Sequence, residues 1–317
     1  MREHTIIIFS NFSLWEVFFW WKIIGTQINN MIETAFIGGS GVYELEDLKD
    51  IETTEIITPF GNTSASVTLG SIGDKRIAFI PRHGTDHSLS PSEVPYKANI
   101  YALKALGVRK VISVSAVGSL NEAIKPLDIV IPDQLIDRTK SREDTFFGDG
   151  LVAHISFANP FCKTLSAMID SFCESLAIDR HLSGTYLAIE GPQFSTKAES
   201  NLYRKWGCDI IGMTAIPEAK LAREAEMCYA TIAVVTDYDC WKEDQEEVTA
   251  SMVINNLKQN VETSKKLISK IARNINILGD ECVCNASLQD ALVTQRILDN
   301  KKIAKKLGVL LQKYLPV

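Results

Sequence analysis

Residues 208–241 read CDIIGMTAIPEAKLAREAEMCYATIAVVTDYDCW, and the fold class turns on this stretch. It reads as strand, loop, helix, strand. Ile210 and Ile211 end a short apolar strand. Pro217 suits the first turn of a helix, where its missing N–H costs nothing. Residues 229–235 are apolar and β-branched, the pattern of a strand buried on both faces. That strand runs out into Asp237 and Asp239. In an open parallel α/β sheet, ligands bind beyond the carboxyl ends of strands. If residues 237–239 stay extended, both carboxylates face the same way. The competing reading is a solvated acidic turn. The apolar strand before the pair and Trp241 after it argue against open surface.

Working outward, the same alternation recurs. Residues 34–37 form a short apolar strand that enters Gly38-Gly-Ser-Gly41. Such a turn offers backbone N–H groups to an anion, or is simply tight. It is neither a dinucleotide fingerprint nor a P-loop, because Glu44 stands where a third Gly belongs and no Gly-Lys-Ser/Thr follows. Residues 66–69 and 76–80 read as two strands around Gly73-Asp74, ending in Arg82-His83-Gly84. An Arg beside a His at a strand end suits an anion; a surface basic pair is the alternative. Residues 95–106 carry helical periodicity and stop at Gly107. Residues 111–114 form a buried strand leading into a second small-residue turn, Ser115-Ala-Val-Gly118-Ser119. A strand at 128–132, a helix at 160–176, a strand at 184–189 that enters Glu190-Gly-Pro-Gln-Phe-Ser195, and helices at 197–206 and 253–275 complete the run. The tail from Leu288 reads as one or two short helices. Strands alternate with helices throughout, which predicts an α/β fold: a single three-layer domain with a largely parallel central sheet flanked by helices.

The chain has 317 residues and a net charge of −6, and it has no Lys/Arg tract of the kind that tracks nucleic acid. No internal repeat or linker divides residues 31–317. Residues 1–30 differ: they hold three of the five tryptophans and a marginal apolar run. They read as an atypical extension, an interfacial anchor or a signal lacking a small-residue cleavage site. The seven cysteines are odd in number and mostly sit in apolar runs, as reduced thiols of a cytoplasmic protein do. Cys282-Val-Cys284 stands apart. A bridge across C-x-C closes a small strained ring, so the expectation is reduced thiols or a redox-sensitive staple. No second Cys or His pair lies nearby in sequence, so no metal site is expected there. His83 and His87 are spaced to share a helical face, but Gly84 and Pro91 break that helix, and no metal is expected there either.

The six motifs Gly38-Gly-Ser-Gly41, Arg82-His83-Gly84, Ser115-Ala-Val-Gly118-Ser119, Glu190-Gly-Pro-Gln-Phe-Ser195, Met213-Thr214…Pro217-Glu218 and Thr236-Asp-Tyr-Asp-Cys-Trp241 fall in one order. In this order they resemble the trimeric purine nucleoside phosphorylase family over about residues 32–275. The members that cleave 5′-methylthioadenosine are nearest in pattern. The resemblance implies phosphorolysis to adenine and 5-methylthioribose 1-phosphate. Inorganic phosphate is then the co-substrate, and no metal or organic cofactor is needed. By similarity, phosphate would rest on Ser40, Arg82, His83, Ser115, Ala116 and Thr214. The nucleoside would rest on Phe194, Ile211, Met213, Asp237 and Asp239, with His154 reaching a neighbouring subunit's site. For Phe194 and Met213 ordinary core packing is the competing reading. Asp237 would protonate the purine N7. A homotrimer or dimer of trimers is implied, with no nucleic-acid partner and no membrane unless residues 1–30 anchor it. The resemblance also implies a base choice, since 6-oxopurine-cleaving members carry Asn in place of Asp237 and Glu in place of Ser195. The alternatives are a phosphorylase of adenosine, inosine or guanosine, a binding module without turnover, and a hydrolase.

Overall fold

The sheet is built on strands whose alternate residues enter two different cores. The computed structural model describes residues 4–8, 32–39, 45–242, 249–275, 282–294 and 301–315. Its strands, in chain order, are β1 (His4–Ile8), β2 (Thr34–Gly38), β3 (Lys49–Thr58), β4 (Gly61–Asn62), β5 (Val67–Ile72), β6 (Lys75–Pro81), β7 (Lys110–Ser119) and β8 (Ile129–Ile131). They continue as β9 (Gln134–Arg138), β10 (Arg180–Leu182), β11 (Thr185–Ile189), β12 (Ile210–Gly212) and β13 (Cys228–Asp237). The helices are α1 (Tyr96–Ala105), α2 (Lys163–Ser175), α3 (Lys197–Lys205), α4 (Ala215–Glu224), α5 (Ala250–Asn274) and α6 (Lys301–Leu307). The sheet runs β1-β3-β5-β6-β2-β7-β12-β11-β9, and β13 pairs with both β7 and β8.

Every residue of β13 is buried. Tyr229, Ala233 and Val235 point into the core covered by α1 and α4, while Ala230, Ile232 and Val234 point into the core beneath α2 and α5. β2 and β7 alternate in the same way, with Ile37 and Val111 on one face and Phe36 and Ile112 on the other. Period-two side chains on a two-sided sheet therefore give the three expected layers. The centre, β6-β2-β7-β13, is parallel. The periphery is not: β3–β5, β5–β6, β7–β12 and β8–β13 are antiparallel, so the sheet is mixed.

Two local expectations change. The stretch 115–119 is no turn: β7 runs through it, because β13 pairs along one edge and Ile210 and Ile211 of β12 pair with Ser119 and Gly118 on the other. Residues 237–239 do not stay extended. Asp239 has φ +50°, and its N–H donates to Asp237 Oδ1 at 2.8 Å, so the strand ends in an Asx-type turn. The helix at Pro217 starts where expected, since Ile216 is extended (φ −113°, ψ 134°). Strands β3, β9 and β10 had no clear sequence signature. β3 alternates poorly, with Lys49, Asp50, Glu52 and Glu55 in its length. Within residues 1–30, residues 4–8 add β1 parallel to β3 at the sheet edge; the tryptophan-rich part lies outside the described residues. No helix of the described residues is long and apolar enough to cross a membrane.

Candidate active site

The carboxyl ends of β2, β6, β7 and β13 collect the polar side chains. Asp237 and Asp239 are each only 6% exposed. Burial raises the pKa of Asp237 against the Thr236 hydroxyl and the Asp239 N–H, which both favour its charged form. Burial likewise pushes Asp239 up to about 6, helped by the charge of Asp237. The Thr236 hydroxyl lies 2.7 Å from Asp237 Oδ2. Gly118 makes room for the pair. A Cβ there would lie 2.9 Å from Asp237 Oδ1 and 3.1 Å from Ile211 Cγ2. The Ser195 carbonyl accepts from Cys240 Sγ at 3.1 Å, which ties the 190–195 loop to the acidic turn. The Ser195 hydroxyl is buried without a partner among the described residues. Trp241 Nε1–H donates to the Ser119 carbonyl at 2.8 Å and closes the turn over β7.

The anion-type residues meet a few residues earlier on β7. Arg82 is buried and its Nη2 donates to Ser113 Oγ at 2.6 Å. Ser113 Oγ lies 3.4 Å from Ser115 Oγ, which lies 3.0 Å from Thr214 Oγ1. One hydrogen-bonded chain thus joins four side chains from β6–β7 and the start of α4. Arg82 is also paired with Glu218, through Nε at 2.5 Å and Nη2 at 3.1 Å, and Nη1 donates to the Val114 carbonyl. Tyr229 O–H donates to Glu218 as well, at 3.0 Å. The Arg82 charge is therefore balanced inside the protein, and one Nη1 N–H has no acceptor among the described residues. His83 Nδ1 sits 2.8 Å from the Leu89 carbonyl, so it carries the proton and leaves Nε2 as an acceptor. Burial, then the Arg82 charge, depress the His83 pKa to about 4. Its ring stacks on His87 at 4.4 Å, a packing contact.

Of the residues singled out in the sequence, Ser115 and Thr214 are joined directly and Arg82 reaches them through Ser113, with His83 next to Arg82 in the chain and Ala116 next to Ser115. Asp237, Asp239 and Ile211 converge around Gly118. Met213 packs over Gly191, at the mouth of the 190–195 loop. Phe194 is 43% exposed rather than core, which removes the packing reading for it. His154 is not part of this assembly. It is exposed and lines a separate groove of about 560 Å³ with Cys162, Cys282 and Arg223. Ser40 lies outside the described residues.

Arg142 was missed. Its side chain is buried, and it donates to the carbonyls of Met213, Ile216 and Glu190 and to the Glu190 carboxylate. One guanidinium thus holds the start of the 190–195 loop and the entrance of α4 in register. Burial pushes Glu190 up, but donors from Ser92, Lys140, Ser141 and Arg142 outweigh it and hold Glu190 at about 2. Nothing in the local sequence marks Arg142, which stands in a polar loop. Ser113 was hidden inside an apolar strand run.

Residues 33–273 match the family model described as the phosphorylase superfamily. The chain belongs to the phosphorylase superfamily. Curated relatives agree along nearly the whole length. An S-methyl-5′-thioadenosine phosphorylase of Thermosynechococcus vestitus is 49% identical over 286 residues, covering 89% of this chain and 98% of its own. One of Hyperthermus butylicus is 50% identical over 264 residues, covering 82% and 96%. Among solved structures, a methylthioadenosine phosphorylase from an antarctic soil metagenomic library superposes with a TM-score of 0.85 at 46% identity, covering 91% of this chain and all of the other. The Schistosoma mansoni methylthioadenosine phosphorylase in complex with adenine gives a TM-score of 0.76 at 32% identity, covering 83% and 99%. This phosphorylase therefore shares its fold with methylthioadenosine phosphorylases of solved structure.

Proposed function

We propose that the enzyme cleaves 5′-methylthioadenosine with inorganic phosphate, giving adenine and 5-methylthioribose 1-phosphate. The observation that carries this reading is the buried carboxyl of Asp237, whose pKa burial raises, at the end of β13, beside Asp239 and the unpartnered Ser195 hydroxyl. Adenine presents an acceptor at N7 and a donor at N6, and a protonated carboxyl beside an ionisable one matches both. The relatives' shared name points to the same substrate. A 6-oxopurine fits less well, since its N7 and O6 both seek donors.

Ser115 and Gly118 are three residues apart on β7, about 10 Å at strand rise. That spacing sets the anion group and the carboxyl pair one nucleoside apart. Phosphate oxygen bonds to C1′ as the C1′–N9 bond breaks. The electron pair leaves with the purine, and Asp237 delivers its proton to N7. Phosphate is held by the Ser115 and Thr214 hydroxyls, the Ala116 N–H and the remaining Arg82 N–H. His83, neutral at pH 7, accepts from a phosphate P–O–H. Preorganised donors of this kind stabilise the charge that develops at the sugar and phosphate. The nucleophile is phosphate itself, so the reaction uses no metal and no organic cofactor.

The reading includes a cytoplasmic homotrimer or dimer of trimers, in which His154 serves a neighbour's site. What supports this is its exposure and its place in a groove apart from its own chain's carboxyl pair. The test of the substrate compares kcat/KM for methylthioadenosine, adenosine and inosine in saturating phosphate. Methylthioadenosine is expected to lead; inosine in the lead overturns the assignment.

A further inference from the structure

The fold supplies what the sequence around Cys282-Val-Cys284 lacks. Cys162 and Cys228, far away in the chain, bring a second pair of thiols to it. The four sulfurs all lie within 4.8 Å of one another, and three of the four residues are buried. Cys162 Sγ and Cys282 Sγ are 3.6 Å apart. Zinc in a tetrahedral thiolate site has Zn–S of about 2.3 Å, which places sulfurs about 3.8 Å apart. The cluster has the size of one such tetrahedron. It is too tight to enclose a multi-iron cluster, whose cysteine sulfurs stand outside the iron atoms.

We propose that Cys162, Cys228, Cys282 and Cys284 form a structural site for one zinc ion. The ion replaces four S–H protons, which go to solvent, and no electron is transferred. The surroundings suit four thiolates. Cys162 is the N-cap of α2, a 13-residue helix without a side-chain cap, so the positive end of the helix faces its sulfur. Arg223 and Lys163 line the groove beside the cysteines and offset the excess negative charge. The chelate pair Cys282 and Cys284 sits at the start of a 3-10 turn, Val283–Ala286.

The site is remote from the carboxyl pair of its own chain. Cys228 opens β13 and Asp237 closes it, so about 30 Å of strand separates them. What the ion joins is the entrance of α2, the first residue of β13 and the segment from Cys282. That segment in turn holds residues 153–154, since His154 N–H donates to the Ala291 carbonyl at 2.8 Å and Ala153 bridges Leu292. An ion held by these four thiolates fastens the C-terminal part of the chain to the central sheet.

The test uses the full chain, produced with zinc in the medium and desalted without chelator. Elemental analysis is expected to find about one zinc per chain, released by a mercurial thiol reagent. Exchange with cobalt is expected to give the charge-transfer band of a tetrahedral thiolate site. After chelation in denaturant all seven cysteines should titrate. The double variant Cys282→Ser, Cys284→Ser should lose the zinc and melt at a lower temperature. Three results overturn the proposal: no zinc in the wild-type chain, only Cys173, Cys208 and Cys240 titrating because the other four are in disulfides, or full zinc retained by the double variant. The wild-type measurements decide the matter even if the variant fails to fold.

Discussion

In the proposed reaction, Asp237 is where burial becomes chemistry. Its pKa is raised because the strand end is dry, not because Asp239 repels it; the neighbouring charge acts chiefly on Asp239. Asp237→Asn keeps the shape and removes the carboxyl proposed as proton donor, so kcat for methylthioadenosine should fall at least tenfold with little change in melting temperature. Normal turnover by the variant would show that the carboxyl does no acid catalysis. Arg82 needs a different experiment. Deleting it leaves Glu218 buried and unpaired, a penalty of about 3–5 kcal/mol for breaking such a pair. Arg82→Ala should therefore melt early as well as bind phosphate poorly. Arg82→Met with Glu218→Gln should recover stability while the phosphate KM stays high, and recovery of both would remove Arg82 from the phosphate site. The individual residues were legible because they stand in short motifs at strand ends. Arg142 was not, since its role depends on two loops that only the fold brings to it.

At the scale of elements, β7 joins the two halves of the site, and its sequence was misread as strand plus turn. Small residues at 115–119 suggested a break; in the sheet they give room to neighbours, as Gly118 does to the two carboxylates. Gly118→Ala should raise the KM for methylthioadenosine about tenfold or more while the phosphate KM changes little. Equal binding in the variant would mean that the carboxylates do not need this approach. The α4 end offers a pH test. Burial pushes Glu224 from 4.5 up to about 7, against donation from Thr145 Oγ1 and the Phe146 N–H, each at 2.6 Å. The folded chain thus holds this proton more tightly than the unfolded chain. Its contribution is complete below about pH 4.5 and is lost as the pH rises through about 7. Glu224→Gln should remove that loss, on the order of 3 kcal/mol. Stability curves of the two proteins should therefore diverge between pH 5 and 8. Parallel curves would contradict the shift. Polar, poorly alternating β3, and the brief β9 and β10, were not legible, because their neighbours in the sheet stabilise them more than their own pattern does.

For the whole molecule, the sequence pattern carried the three layers, because β2, β7 and β13 are apolar on both faces. It did not carry the mixed sheet order or the meeting of Cys162, Cys228, Cys282 and Cys284, which depends on contacts more than a hundred residues apart. The described part of the extension, β1, is peripheral. β1 only lengthens the sheet beyond β3, whose other edge is already paired with β5 and whose charged residues guard the edge exposed on removal. A chain starting at Met31 should fold, assemble and turn over substrate at the full rate; lost solubility or activity would give residues 1–30 a part in the fold. For the full chain, assembly is read from the solution mass, expected at three or six times 35.2 kDa. In the proposed reaction, phosphate bound about 10 Å along β7 from the carboxyl pair cleaves the nucleoside. The most direct test of that cleavage is adenine release from methylthioadenosine with and without phosphate, with the sugar product identified. Saturable phosphate dependence, with one 5-methylthioribose 1-phosphate formed per adenine, is the result expected; undiminished release of adenine and free 5-methylthioribose in phosphate-free buffer would contradict it.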